Sequence, residues 1–157
     1  MGFLVRPAAV TDAPAIAVVA AAAWRDTYAG LLRNDTIETF LERAYSIERL
    51  ERRIEADTFL VAAEDGVIVA FCDALERPEH IDLFAIYAAP ELRGRGAGTA
   101  LLAAIRTRFP GKAIAAEVLL GNRKGEIFYE RRGFAARERL DTELFGEPVV
   151  ERRWWLD

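Results

Sequence analysis

The sequence is short of reactive side chains. Cys72 is its one cysteine and His80 its one histidine. A single cysteine excludes an intrachain disulfide and a cysteine-built zinc site. It stands inside the apolar run VIVAFCDAL, where a small buried core residue is expected. His80 reads as a polar residue at a strand edge rather than half of a catalytic dyad. Excess basic charge is also missing. Lysine and arginine number 21 against 25 acids, a net charge of −4. That balance argues against a nucleic-acid partner, which needs a basic face, and suits a cationic substrate such as an amine. The apolar segment AIAVVAAAAW is bounded by Asp12 and Arg25, too short for the ~20 residues of a bilayer span. Asp12 and Pro14 also interrupt any secretory signal, so it reads as a buried helix of a cytoplasmic protein with no membrane partner. Repeats, low-complexity tracts and linkers are absent, and 157 residues fit one domain, 1–157.

The hydrophobic period divides the chain. FLVRP alternates as a short strand. Thr11 or Asp12 is placed to cap a helix running to about Tyr28, with Pro14 in its first turn and Gly30 past its end. NDTIETFLERAY and SIERLERRIEA are further helices, the second opening at Ser46. TFLVAAEDGVIVAFCDAL forms two β-rich runs around Asp65-Gly66, a strong hairpin signal. HIDLFAIYA is a third apolar strand. Three glycines follow within five residues, then a helix to about Phe109, stopped by Pro110-Gly111. AIAAEVLL is a strand, RKGEIFYERR a helix ended by Gly133, and AARERLDTEL and PVVERRWWL are two closing strands. This order predicts a mixed α/β sheet with helices on its faces.

The turn Arg93-Gly94-Arg95-Gly96-Ala97-Gly98 carries the first chemical signal. A helix N-terminus has unpaired N–H groups and positive dipole character, and glycines there allow close approach of an anion. Arg93 and Arg95 supply charge for phosphate oxygens. A tight strand-to-helix turn with solvated arginines is the plain alternative. No P-loop string is present, and a dinucleotide fingerprint fails because its sixth position is Thr99. The pattern that fits is R-x-x-G-x-G, from Arg93 through Gly96 to Gly98.

Here the sequence resembles the GCN5-related N-acetyltransferase (GNAT) superfamily, which binds the pyrophosphate of acetyl-coenzyme A with that motif. EVLLGNRKGEIFYERRGF is similar to the family's second signature at Asn122, Gly125, Phe128, Tyr129, Gly133 and Phe134. IDLFAIYAAP resembles its central strand, and LFGEPVVERRWWL its closing hairpin. The likeness is specific from about Ile81 to Phe134. Gly125 departs from the commoner alanine, and Ala70 stands where a glycine is frequent.

The resemblance implies a GNAT-like mixed, mostly antiparallel central sheet of about seven strands flanked by helices. It also implies acetyl transfer from acetyl-CoA to a primary amine. Main chain at Phe84, Ala85, Ile86 and Ala88 would hold the cofactor's pantetheine arm. Arg93, Gly94, Arg95, Gly96, Ala97, Gly98 and Thr99 would hold the pyrophosphate, and Asn122 the arm. Tyr129 would be the general acid. An alkylamine with a pKa of ~10 must lose a proton before attack, and Glu117, Asp82 or ordered water would take it. Glu126 and Glu130 read as solvated helix residues.

Trp24, Tyr28 and Phe40 would line the acceptor pocket, or else pack as core aromatics. The acceptor is a polyamine, an amino sugar, an amino acid, or a peptide or protein amine. No metal is called for, and a homodimer is the family's tendency. Trp154 and Trp155 fit either an interface or a buried terminal strand. Two rivals stay open: a non-catalytic acyl-CoA sensor, and a nucleotide-phosphate binder using the glycine turn alone.

Overall fold

The computed structural model of the chain describes residues 2–157. Strand β1 (Leu4–Pro7) leads into three helices, α1 (Ala13–Tyr28), α2 (Asn34–Ala44) and α3 (Ile47–Ala56). Then come β2 (Thr58–Glu64), β3 (Val67–Glu76) and β4 (His80–Ala88). Helix α4 (Ala97–Arg108), β5 (Ala113–Leu119), α5 (Arg123–Arg131), β6 (Ala135–Leu144) and β7 (Glu147–Leu156) complete the order. The strands make one seven-stranded sheet, β1-β2-β3-β4-β5-β7-β6, parallel only between β4 and β5. The mixed, mostly antiparallel sheet implied by the resemblance is what forms.

Local chemistry accounts for most boundaries. Ser46 accepts the Arg49 N–H at 3.2 Å and caps α3. Asp65 and Gly66 take φ of +52° and +80°, the left-handed pair of a tight hairpin. Gly30 and Gly133, at φ of +81° and +90°, end α1 and α5. The expected cap at Thr11 or Asp12 takes another form. Asp12 makes no side-chain cap on α1. Its carboxylate instead accepts the Ala9 N–H at 2.7 Å and two bonds from Arg6, fixing a 3-10 turn over Val10–Asp12.

Two apolar cores lie on opposite faces of the sheet. Helices α1 to α3 pack Ile16, Trp24, Ile37 and Leu50 against Phe59, Val61, Phe71 and Ala85. Helices α4 and α5 pack Leu101, Ile105 and Tyr129 against Leu60, Cys72, Ile81 and Leu83. Because both faces are covered, β2 and β3 read as continuous apolar runs rather than alternating ones. Helix α1 is less enclosed than its composition suggests, with Val18 71% exposed. No helix among the described residues is long and apolar enough to cross a membrane.

Asp73 is the buried exception. It stands on β3 among apolar neighbours, and Arg53 of α3 reaches it at 2.8 Å. The same guanidinium donates to the Ala44 carbonyl and lies over the Tyr45 ring. Asp73 pairs across the ladder with Ala85 of β4, so the ion pair ties α3 to the sheet beside the site described next.

Candidate active site

The ladder between β3 and β4 slips by one residue. Asp73 faces Ala85, but Ala74 faces Leu83, leaving Phe84 without a partner. Such a bulge bends a strand and re-aims its side chains. The Phe84 ring is accordingly 53% exposed in an otherwise covered strand. At the same level β4 parts from β5, whose parallel pairing runs only from His80 with Ala113 to Leu83 with Ala116. Beyond it β5 continues beside β7 as far as Leu119. From Phe84 onward the β5-facing edge of β4 has no ladder, and its N–H and C=O groups await water or a ligand.

A cavity of about 760 Å³ fills this opening, lined along one wall by Phe84 through Ala88. The turn before α4 forms its floor. Gly94 and Gly96 have φ of +80° and +98°, and no atom lies within 4 Å of where their Cβ would stand. Bare amides therefore face open space at the positive end of α4. Gly98 is constrained differently, since its Cβ would meet Phe128 Cε1 at 2.8 Å. Its glycine lets α4 and α5 approach, rather than admitting an anion directly.

Of the two turn arginines, Arg93 lines the cavity and is held by Asp26 and by the Thr27 hydroxyl at 2.9 Å. Arg95 turns away to Glu64 at 2.9 Å and is outside the lining. Asn122 accepts the Gly125 N–H at 3.0 Å, capping α5, with its amide against the Tyr28 hydroxyl. A Cβ on Gly125 would stand 2.7 Å from the Asn122 amide nitrogen, so the departure from alanine protects this cap.

Tyr129 is buried to its hydroxyl and lines the cavity. Burial raises its pKa, with the Tyr28 and Cys72 charges adding to it, and no hydrogen bond offsets the shift. The phenol therefore stays protonated and able to donate. Also in the lining, the Tyr28 and Tyr87 hydroxyls share a 2.8 Å hydrogen bond. Burial pushes Tyr28 up to about 12, against the lowering effect of that bond.

The acidic candidates separate. Glu117 lines the cavity, half-exposed, with Arg153 Nε at 4.0 Å. Asp82 lies outside the lining, gripped by Arg77 at 2.7 Å and by His80 and Arg153 at 2.9 Å each. Burial pushes its pKa up, but those donors outweigh burial and hold it below the usual carboxylate range. Trp24 and Phe40 stack at 4.0 Å and stay outside the cavity, leaving Tyr28 as the one member of that trio in it. Glu126 is not solvated as expected: only 13% exposed, it pairs with Arg123.

With this geometry in place, residues 21–134 match the acetyltransferase (GNAT) family, more than half of the chain. The chain belongs to that family. It is thus an acetyl-CoA-dependent N-acetyltransferase. A curated relative, the spermidine N(1)-acetyltransferase of Thermoplasma acidophilum, is 25% identical over 96% of this chain and 99% of its own. The crystal structure of the PaiA N-acetyltransferase from the same organism, in complex with coenzyme A, superposes with a TM-score of 0.84. It is 25% identical and the match covers 97% and 98% of the two chains. A GCN5-related N-acetyltransferase from Rhodopseudomonas palustris shares the fold at a TM-score of 0.82 and 23% identity, covering 99% and 95%.

The GNAT cavity also contains cations that lie outside the glycine-turn motif. Lys124, Arg131 and Arg132 line it with Arg93, against Glu117 as its one carboxylate. Arg132 donates to the Thr99 hydroxyl and lies 3.7 Å from the Phe128 ring centre, clipping α5 to the first turn of α4. The visible signal was the arginine pair before Gly133, which faces the glycine turn once α5 is built. An overall acidic chain thus carries a locally basic cavity, and that suits a polyphosphate ligand. Trp154 is buried on β7, an interior strand between β5 and β6, and its neighbour Trp155 packs on His80. These placements agree with a buried strand.

Proposed function

We propose that this chain acetylates a primary amine of a small, flexible cationic acceptor of the polyamine type in the cavity between β4 and β5. The observation that carries this reading is the unpaired edge of β4 beyond the bulge, set between a basic glycine turn and a lone lining carboxylate. Bound there, acetyl-CoA supplies an acetyl group already activated as a thioester.

The chain's own residues divide the remaining work. Main chain at Phe84, Ala85, Ile86 and Ala88 offers the ladder groups that β5 leaves free and so binds an extended arm as an added strand. Amides from Gly94 to Thr99 cradle the diphosphate, aided by Arg93, Lys124, Arg131 and Arg132. Asn122 steadies the α5 turn beside the arm. The Tyr129 hydroxyl, kept protonated by burial, is the proton donor to the leaving group. Glu117 is the proton acceptor, since it faces the cavity while Asp82 is committed to three partners.

The polyamine assignment draws on the Thermoplasma relative and on Glu117, the one carboxylate in the cavity lining. Thiol release from acetyl-CoA over a panel of spermidine, an amino sugar, free amino acids and a lysine peptide tests it. Spermidine is expected to be turned over most efficiently. Stabilisation by acetyl-CoA with no thiol release on any amine would overturn the reading in favour of an acyl-CoA sensor.

A further inference from the structure

Three acids shielded from solvent in this protein are each held by cations. Asp12 has Arg6, Asp73 has Arg53, and Asp82 has Arg77 and Arg153. Glu151 on β7 breaks the pattern. Its directly opposed neighbours in the ladder are Leu119 on β5 and Leu140 on β6, so both flanking positions in its row are apolar. Across the diagonal on β5 stands Glu117, whose own partner in the ladder is Arg153. Arg153 is turned to Asp82 at 2.9 Å, leaving its Nε 4.0 Å from Glu117. Val149 precedes Glu151 on the same face, and Tyr28 of α1 lies within reach of its charge.

No cation among the described residues answers Glu151. Burial, then the Glu117 charge, raises its pKa. A carboxylate half out of water with a second carboxylate across the diagonal is electrostatically incomplete. Cross-strand diagonals are ~7–8 Å apart, within the reach of a short chain with an ammonium at one end. Glu151 stands just outside the cavity lining, but its neighbours Glu117 and Tyr28 are part of it, so a ligand there can bring the missing charge.

We propose that Glu151 is the counter-charge for a second ammonium of the acceptor, so that this site selects diamines and polyamines over monoamines of equal length. The inference rests on the amine acetylation proposed above and adds the residue that reads the acceptor. A site built around an unpaired charge rejects an analogue that fails to complete it. Binding of the dication compensates the desolvated Glu151 charge and offsets its repulsion from Glu117 together.

The test compares diaminobutane with butylamine as acceptors for the full chain and for Glu151→Gln, with coenzyme A affinity measured alongside. The wild type should prefer the diamine by about tenfold or more in kcat/KM. Glu151→Gln should raise KM for the diamine by a similar factor. Its KM for butylamine, its kcat and its coenzyme A affinity should stay unchanged. The diamine KM of the wild type should fall as pH rises through the elevated Glu151 value, because the charged form does the binding, and the variant should lose that slope. Glu151→Asp should keep the preference, which separates lost charge from lost packing. Equal losses on both amines, or a kcat effect alone, would overturn the inference and leave amine acetylation standing. A wild type that acetylates butylamine as well as diaminobutane would do the same. A wild type active on no amine would overturn the proposed function, and this inference with it.

Discussion

Replacing Arg53 by methionine isolates the one buried ion pair that supports the site. Methionine keeps the apolar stem of the side chain and removes the guanidinium. Asp73, 1% exposed, would lose its 2.8 Å partner. Removing one member of a buried pair costs about 3–5 kcal/mol, a large share of a typical domain's stability. The lost bond to the Ala44 carbonyl and the lost stack on Tyr45 add to this by about 1–2 kcal/mol.

The penalty should depend on pH with a definite sign. Burial first, then the Asp57 contact, raises the Asp73 pKa, and Arg53 opposes them. A raised carboxyl pKa contributes stability below the unfolded value of ~3.9, and that contribution is lost as pH climbs through the folded value. Without Arg53 the folded value rises further, so the variant should be least stable on the alkaline side. Urea denaturation followed by tryptophan fluorescence at about pH 5 and about pH 8 measures both slopes. Adding Asp73→Leu should recover most of the loss, because an apolar pair of similar volume is often neutral or better. A single-variant cost under about 1 kcal/mol at the higher pH, or strict additivity in the double variant, would refute the reasoning.

Tyr129→Phe should lower turnover by about tenfold or more while coenzyme A affinity holds, as steady-state kinetics and calorimetry would show. Unchanged turnover would remove the donor role. Gly98→Val should cost about 1–3 kcal/mol and weaken coenzyme A binding, because its Cβ meets Phe128 Cε1 at 2.8 Å; a stable variant with normal affinity would contradict that close approach. Cys72, fully buried with burial pushing its thiol up to about 12, should resist alkylation until the chain unfolds. Rapid labelling under native conditions would argue against the packing described.

What the sequence disclosed follows the range of the interactions involved. Asp65-Gly66, Ser46 and Gly133 act within a few residues, and each marks its boundary where the pattern places it. The parallel pairing of β4 with β5, and the insertion of β7 between β5 and β6, depend on partners far along the chain. The bulge at Phe84 is invisible for the same reason, since HIDLFAIYA reads as an unbroken strand. Local charge patterns do not give the placement of each side chain. Arg95, expected at the pyrophosphate, pairs with Glu64 in this structure, whereas Arg131 and Arg132, which no sequence motif singles out, line the cavity. Asp82 and Glu117 are equivalent in the sequence, and the cavity lining and the surrounding cations distinguish them. Glu151 drew no notice in ERRWWL, because a missing counter-ion shows only in three dimensions.

The central claim is that the free edge of β4 and the turn before α4 together seat the acetyl donor. Hydrogen exchange with and without coenzyme A measures this residue by residue. The account predicts slowed exchange at amides of 84–88 and 94–99, with little change in the β6–β7 hairpin. Protection confined to other segments, with the β4 edge exchanging as freely as before, would contradict it.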